Sequence, residues 1–288
     1  VEARLERQIA SARARLKGRA APSHPRLSQH FLLDAALLRR IVALAGDVSG
    51  RDVLEIGPGP GGLTAALLDA GARVTALELD PDWAAFTAGE LRDAPLEVRR
   101  QDALATAPGV VAELAARAGR PPLVVANLPY AIASPLLVDL VRGAPAEVPE
   151  RIVVMIQREV AERLCAPPGG RTRGLLTLLI ALRARARRHF VVAPGSFTPP
   201  PRVASAIVEI VPDRARAAAA AARPQLEALL RAAFQARRKM LRRALADVVP
   251  AECLAKVPER LLTRRPEELA DEEWLTLADA VAAPVAKE

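Results

Sequence analysis

The sequence predicts an α/β fold with a doubly wound, mostly parallel sheet, followed by a small all-helical domain. Three observations lead there. Short apolar runs alternate with helical periodicity from residue 35 to about residue 211; a glycine-rich turn separates the first such run from the helix after it; strand patterning stops at Pro212. Alternating strand and helix signals of this kind predict crossover connections and a sheet covered on both faces.

The elements follow in order. The first twenty residues, rich in Arg and Ala, read as a basic helical arm over 1–22, since Glu2 and Glu6 interrupt the charge of a transit-like segment and no apolar secretory core is present. After Pro22 and Pro25 comes the non-periodic Leu27-Ser28-Gln29-His30-Phe31-Leu32-Leu33, then a helix over 35–45 with Asp34 as its N-cap. Strands are expected at 53–56, 73–78, 96–99, 123–126 and 151–156, with helices at 63–70, 81–91, 110–118 and 135–141 between them. Helices at 159–164 and 175–181 flank a Pro-Gly turn at 167–170, and two late strands are expected at 189–192 and 205–211. The segment Pro194 to Pro201 between them is too proline-rich for a strand and reads as a functional loop. Beyond Pro212 only helices are expected, at 212–222, 225–246, 251–257 and 271–281. The domain boundaries are therefore 1–22 for the arm, 23–211 for the α/β domain and 212–288 for the helical domain.

At 288 residues, 51% hydrophobic and 26% charged, the chain is long enough to bury its own core and is neither disordered nor repetitive. Aromatics make up only 3%, with a single Tyr, so the core is aliphatic and an aromatic inside a motif carries weight. The net charge is +8, and Lys17, Lys239, Lys256 and Lys287 are the only lysines, so arginine supplies it. A basic, arginine-rich chain suits a polyanion such as nucleic acid; an Arg-for-Lys compositional bias is the alternative. Cys165 and Cys253 lie far apart, and His24, His30 and His189 are scattered, so neither a disulfide framework nor a metal site is predicted. No stretch has the length of a membrane span, and a monomer in a reducing cytoplasm is expected.

The chemistry is concentrated at predicted strand ends. Glu55-Ile56-Gly57-Pro58-Gly59-Pro60-Gly61-Gly62 places glycines where backbone must approach a ligand at a helix N-terminus. Its spacing fits both a methyl-donor and a dinucleotide site, and either implies a nucleoside. Glu78 ends the second strand, where a carboxylate accepts from ribose hydroxyls; Asp80 and Asp82 compete for that role. Asp102 follows the third strand and suits either an adenine amine or a helix cap. Asn127-Leu128-Pro129-Tyr130 ends the fourth and contains the only tyrosine. An Asn oxygen and a neighbouring carbonyl can accept the two N–H bonds of an exocyclic amine while Tyr130 stacks on its base.

Together with Phe197-Thr198-Pro199-Pro200-Pro201-Arg202-Val203, Gln157-Arg158-Glu159-Val160-Ala161-Glu162-Arg163-Leu164 and Phe234-Gln235-Ala236-Arg237-Arg238-Lys239, these segments resemble the ribosomal RNA adenine N6,N6-dimethyltransferases of the bacterial small-subunit type, from Leu27 to about Val281. The resemblance implies a Rossmann-like class I methyltransferase sheet with S-adenosylmethionine as donor, held at His30, Leu32, Gly57, Gly59, Glu78, Asp102 and Asn127. It implies that Asn127 orients the target amine, that Tyr130 and Phe197 sandwich the adenine, and that Leu128 with Pro129 forms a wall tolerant of a first methyl group. The implied substrate is a pair of adjacent adenines in the 3′-terminal hairpin of 16S rRNA, in the 30S subunit or a late precursor. A basic helix carrying Arg237, Arg238, Lys239, Arg242 and Arg243 is expected to contact RNA phosphates. Two positions depart from the family pattern: His30 stands for its usual Asn, and Arg173-Gly174 for its Tyr-Gly. A 23S rRNA methyltransferase of the macrolide-resistance type shares the asparagine-turn chemistry, and a non-catalytic nucleic-acid-binding relative shares the fold. Phe197 to Pro201 and Arg265-Pro266-Glu267-Glu268-Leu269 favour the small-subunit type over the first, and the intact Gly57, Glu78, Asp102 and Asn127 argue against the second.

Overall fold

The computed structural model describes residues 4–18, 29–144 and 147–281. In chain order the elements are α1 (Arg4–Lys17), β1 (Phe31–Leu32), α2 (Ala35–Leu44), β2 (Asp52–Ile56), α3 (Gly62–Asp69), β3 (Arg73–Glu78), α4 (Pro81–Glu90), β4 (Leu96–Arg100), α5 (Ala103–Ala118), β5 (Leu123–Asn127), α6 (Ala133–Leu140), β6 (Arg151–Gln157), α7 (Arg158–Leu164), α8 (Leu175–Ala181), β7 (Ala184–Val192), β8 (Phe197–Thr198), β9 (Ser205–Pro212) and helices α9 to α14 (Arg214–Ala221, Leu226–Gln235, Leu241–Leu245, Ala251–Leu254, Glu259–Leu262, Asp271–Val281).

Seven strands form one sheet in the order β4-β3-β2-β5-β6-β9-β7. The run from β4 to β6 is parallel and β9 enters antiparallel to β6, so the sheet is mixed rather than wholly parallel. The central strands β2, β5 and β6 are buried along nearly their whole length, which is why their sequences are continuous apolar runs. Strand order reverses between β2 and β5, and ligand crevices in such sheets open at the carboxyl ends of strands flanking a reversal.

Caps set the helix starts. Asp34 accepts from Leu37 N at 3.0 Å, and Asp80 accepts from Asp82 N at 2.9 Å with Pro81 opening α4. Asp102 accepts from Leu104 N at 2.9 Å, so α5 starts at Ala103, earlier than the expected residue 110, and carries Pro108 inside it. The proline-rich loop holds a strand after all: Phe197 and Thr198 pair antiparallel with Leu32 and Phe31 in a separate two-stranded sheet.

The chain divides into two compact units, residues 1–161 with 187–212, and residues 162–186 with 213–288. This differs from the expected break at 211/212: residues 162–186 group with the later helices, where Thr177 Oγ1 donates to Arg163 O and Asp213 N to Arg183 O. The expected arm is not free. Helix α1 buries Leu5, Ile9 and Ala12 in the core of the first unit. Its expected end at residue 22, like Leu27 and Ser28, lies outside the described residues.

In the second unit Arg173, the departure from the family pattern, is only 2% exposed and ion-pairs with Asp271 at 2.6 Å while donating to the carbonyls of Ala166 and Leu269. The expected continuous helix over 225–246 is broken. α10 ends at Gln235, the backbone turns through 236–240, and α11 restarts at Leu241, whose N–H donates to Arg264 O at 2.8 Å.

Candidate active site

The glycine turn after β2 is built by positive φ angles at Gly57 (66°), Gly59 (52°) and Gly61 (78°), which side-chain-bearing residues rarely adopt. Gly59 is also sterically required: a Cβ there would lie 2.7 Å from Phe31 Cε1. Neighbouring side chains fix the turn. Glu78 Oε2 accepts from Gly59 N at 2.9 Å, and Thr87 Oγ1 donates to Gly59 O at 2.6 Å. Phe31 packs edge-on against Trp83, with ring centroids 5.0 Å apart.

These elements enclose a cavity of about 370 Å³ in the first unit, lined by Gln29, His30, Gly57, Gly59, Glu78, Asp102, Asn127, Leu128, Pro129 and Tyr130 among others. The sequence-predicted residues His30, Gly57, Gly59, Glu78, Asp102, Asn127, Leu128 and Tyr130 thus converge on one cleft. Its volume lies in the ordinary range for a small-molecule site.

Glu78 is 6% exposed; its Oε1 accepts from Asp80 N at 2.9 Å. Burial pushes its carboxyl above the usual range against the pull of these N–H donors. Each oxygen keeps a second lone pair, enough to accept from a ribose diol. Asp80, the expected competitor, is instead the N-cap of α4. Asp102 is both a cap and a cavity residue, since Oδ1 takes Leu104 N and Oδ2 makes no protein hydrogen bond among the described residues.

Asn127 ends β5. Its Nδ2 donates to His30 O at 3.1 Å, leaving Oδ1 as the acceptor at the cavity wall. Tyr130 is held by a 2.8 Å hydrogen bond between its hydroxyl and Ser205 Oγ, so the ring is anchored at its far end. His30 shares its Nδ1 with Pro199 O at 2.9 Å and lies 6.1 Å from the Tyr130 ring, centroid to centroid. Because a carbonyl only accepts, Nδ1 carries the proton in that bond.

Two expected site residues fall elsewhere. Phe197 is 4% exposed and packs in the core, paired across the small sheet with Leu32, and the cleft is lined without it. Its burial follows from the strand pairing, which turns its ring inward. Leu32 lines a second, smaller cavity of about 30 Å³ beside the first, together with Glu55, Gly57, Pro58 and Asn127.

Glu55 is the residue whose role the sequence reading did not assign. It is 1% exposed, its Oε2 has no hydrogen-bond partner among the described residues, and burial, with repulsion from Glu78 and against the pull of Thr64, pushes its carboxyl up to about 8. The available signal was an acid inside the otherwise apolar run 53–56. Gln29, which also carries no sequence signal of its role, bridges Asp80 Oδ2, at 3.1 Å, and Trp83 Nε1, at 3.2 Å.

S-adenosylmethionine, the donor the resemblance implies, fits these groups. A buried carboxylate can accept from the ribose, an acid at the rim can accept from the adenine amine, side-chain-free backbone admits close approach, and the Glu55 oxygen in the adjoining cavity, without a partner among the described residues, can accept from an ammonium.

In the second unit, Arg237 pairs with Glu267 and donates to Arg171 O at 2.6 Å, and Arg242 pairs with Glu259. Arg238, Lys239 and Arg243 are exposed and make no ion pair among the described residues.

The family model described as ribosomal RNA adenine dimethylase matches residues 21–282. A ribosomal RNA small subunit methyltransferase A from Paramagnetospirillum magneticum is 43% identical over 261 residues, covering 89% of this chain and 89% of the relative. The corresponding protein of Gluconobacter oxydans is 42% identical, over 88% and 81%. A solved dimethyladenosine transferase from Plasmodium falciparum superposes with a TM-score of 0.71 at 26% identity, covering 85% of this chain and 94% of that one. A match that spans the donor loop, the asparagine turn and the C-terminal helices leaves one assignment: the chain belongs to the ribosomal RNA adenine dimethylase family.

Proposed function

We propose that this S-adenosylmethionine-dependent enzyme methylates N6 of two adjacent adenines in the 3′-terminal hairpin of 16S rRNA, within the 30S subunit or a late precursor, giving N6,N6-dimethyladenosines. It acts as a cytoplasmic monomer. Relatives named for the small ribosomal subunit, matching nearly nine-tenths of the chain, support that substrate. The observation that carries the chemistry is the hydrogen bonding of Asn127: with Nδ2 committed to His30 O, Oδ1 is left to accept from the target amine.

An exocyclic adenine amine is a poor nucleophile because its lone pair is delocalised into the ring. Asn127 Oδ1 and a backbone carbonyl of the 127–130 turn accept its N–H bonds and draw the nitrogen toward tetrahedral geometry, aimed at the donor. Tyr130 stacks on the flipped base, with its hydroxyl tethered to Ser205. Leu128 and Pro129 form the apolar wall against which a monomethylated amine fits for the second transfer. Glu78 accepts from the donor ribose and Asp102 from its adenine amine. The donor supplies an electrophilic methyl group on a sulfonium. Once methylated, the nitrogen is cationic and acidic and releases its proton without a dedicated base.

Arg238, Lys239 and Arg243, with Arg237 and Arg242 beside them in sequence, make the phosphate contacts of the helical domain. The test is methyl transfer from labelled S-adenosylmethionine to undermethylated 30S subunits, with the modified positions mapped. Two neighbouring adenines near the 16S 3′ end, each doubly methylated, are expected; incorporation confined to 23S rRNA would overturn the assignment.

A further inference from the structure

Helix α1 precedes residue 21, the first position the family model matches, yet its side chains reach the glycine turn. Gln8 is 3% exposed and donates Nε2 to Pro60 O at 2.7 Å. A Cβ on left-handed Gly61 would stand 3.0 Å from that nitrogen, so turn and amide are in close contact. A buried amide left unpaired loses its hydrogen bonds to water without replacement, which makes a specific acceptor a condition of burying it. The Pro60 carbonyl is that acceptor.

Consecutive peptide units of the turn are thereby fixed from three elements. Glu78 of β3 takes Gly59 N, Thr87 of α4 donates to Gly59 O, and Gln8 of α1 donates to Pro60 O. Helix α1 is itself pinned. Asp69 accepts from Leu5 N at 3.0 Å and pairs with Arg4 at 3.1 Å, and Arg13 donates to Leu33 O at 3.0 Å. At its other end Arg15 lies over Phe86, 4.8 Å from the ring centroid, and over Trp83 at 5.7 Å; Trp83 in turn backs Phe31 beside Gly59.

We infer that Gln8 is a positioning residue for the methyl-donor site, its amide holding the Pro60 peptide of the turn 57–62 in the donor-binding geometry. The inference rests on the turn being the donor site. Gln8 touches neither donor nor RNA; it acts through the Pro60 peptide.

The test uses the full chain with two substitutions. Gln8→Met keeps length and burial and removes the donor group, whereas Leu5→Ala loosens the packing of α1 and keeps the amide. Binding of S-adenosylhomocysteine by calorimetry, KM and kcat with 30S subunits, and Tm are measured for each. Gln8→Met is expected to weaken S-adenosylhomocysteine about five- to tenfold and raise the donor KM in parallel, with kcat within about twofold. Leu5→Ala is expected to lower Tm and leave that affinity within about twofold. Gln8→Met binding like the wild type, or both variants losing affinity in step with Tm, overturns the inference. Should Gln8→Met not fold, Gln8→Asn, whose amide falls one methylene short of Pro60 O, is read by the same two criteria. Failure of the wild type to bind S-adenosylhomocysteine rejects the donor site itself and is a separate result.

Discussion

Among the described residues the Asn127 side chain makes one hydrogen bond, as a donor to His30 O, and that contact leaves the amide oxygen as the end available to substrate. Asn127→Ala removes both the acceptor and the tie to residue 30. Methyl transfer to 30S subunits is expected to fall on the order of 10³-fold, comparable to losing a preorganised transition-state contact, while RNA affinity is expected to stay within about twofold because the proposed phosphate contacts lie in the helical domain. Turnover within tenfold of the wild type would show that Asn127 does not orient the amine. Glu55 governs a different property. Its carboxyl sits near 4.5 in the unfolded chain and is pushed up to about 8 in the fold, so the folded state binds more protons across that interval. Stability contributed by the neutral acid is fully present below about pH 4.5 and is lost as pH rises to about 8. Glu55→Gln cannot ionise, so its Tm advantage over the wild type is expected to grow, on the order of 5 °C, between pH 5 and pH 8.5. A difference in Tm that is the same at both pH values would show that Glu55 is already charged throughout.

At the scale of elements, the parts legible in the sequence are those encoded locally. Strands β2, β3 and β5 are short apolar runs, and Asp34 stands as an N-cap where side-chain chemistry demands one, so the residues at their ends could be placed in one cleft before any coordinates. What was not legible depends on partners distant in sequence. The pairing of Phe31–Leu32 with Phe197–Thr198 leaves no periodic signal in two-residue strands, yet it places Phe197 in the core, where the sequence suggests a loop residue. Helical periodicity runs on through Arg237, Arg238 and Lys239, but the backbone leaves the helix at Ala236 and restarts at Leu241, because Leu241 and Leu245 are buried on a new face and the Leu241 N–H is met by Arg264 O. The expected basic helix is therefore a basic turn followed by a short helix. Helix α1 shows the same limit from the other side: its arginines read as a basic arm, while the buried Gln8 that ties it to the glycine turn is unremarkable in composition.

For the whole molecule the excess of arginine takes on a specific distribution. Many arginines serve the fold itself, as when Arg73 and Arg117 flank the buried Asp52 carboxylate and hold it below the usual carboxylate range, or when Arg173 anchors Asp271. These are spoken for and do not contribute a bare positive charge. The turn after α10 and the helix α11 differ, since Arg238, Lys239 and Arg243 are exposed without ion pairs among the described residues, whereas Arg242 shares its charge with Glu259. If the net charge of +8 were only a compositional habit, neutralising these three side chains would leave RNA binding unchanged. If they meet phosphates, each releases counterions on binding, and log affinity falls with log salt by about 0.7 to 0.9 per contact. Replacing Arg238, Lys239 and Arg243 together by Gln is therefore expected to flatten the salt dependence of 30S binding by about 2 to 3 in slope, with Arg242→Gln changing it by less than one. The methyl-donor affinity, carried wholly by the first unit, is the control and is expected to stay constant. An unchanged slope would assign the charge to composition and move the RNA contacts to another surface of the enzyme.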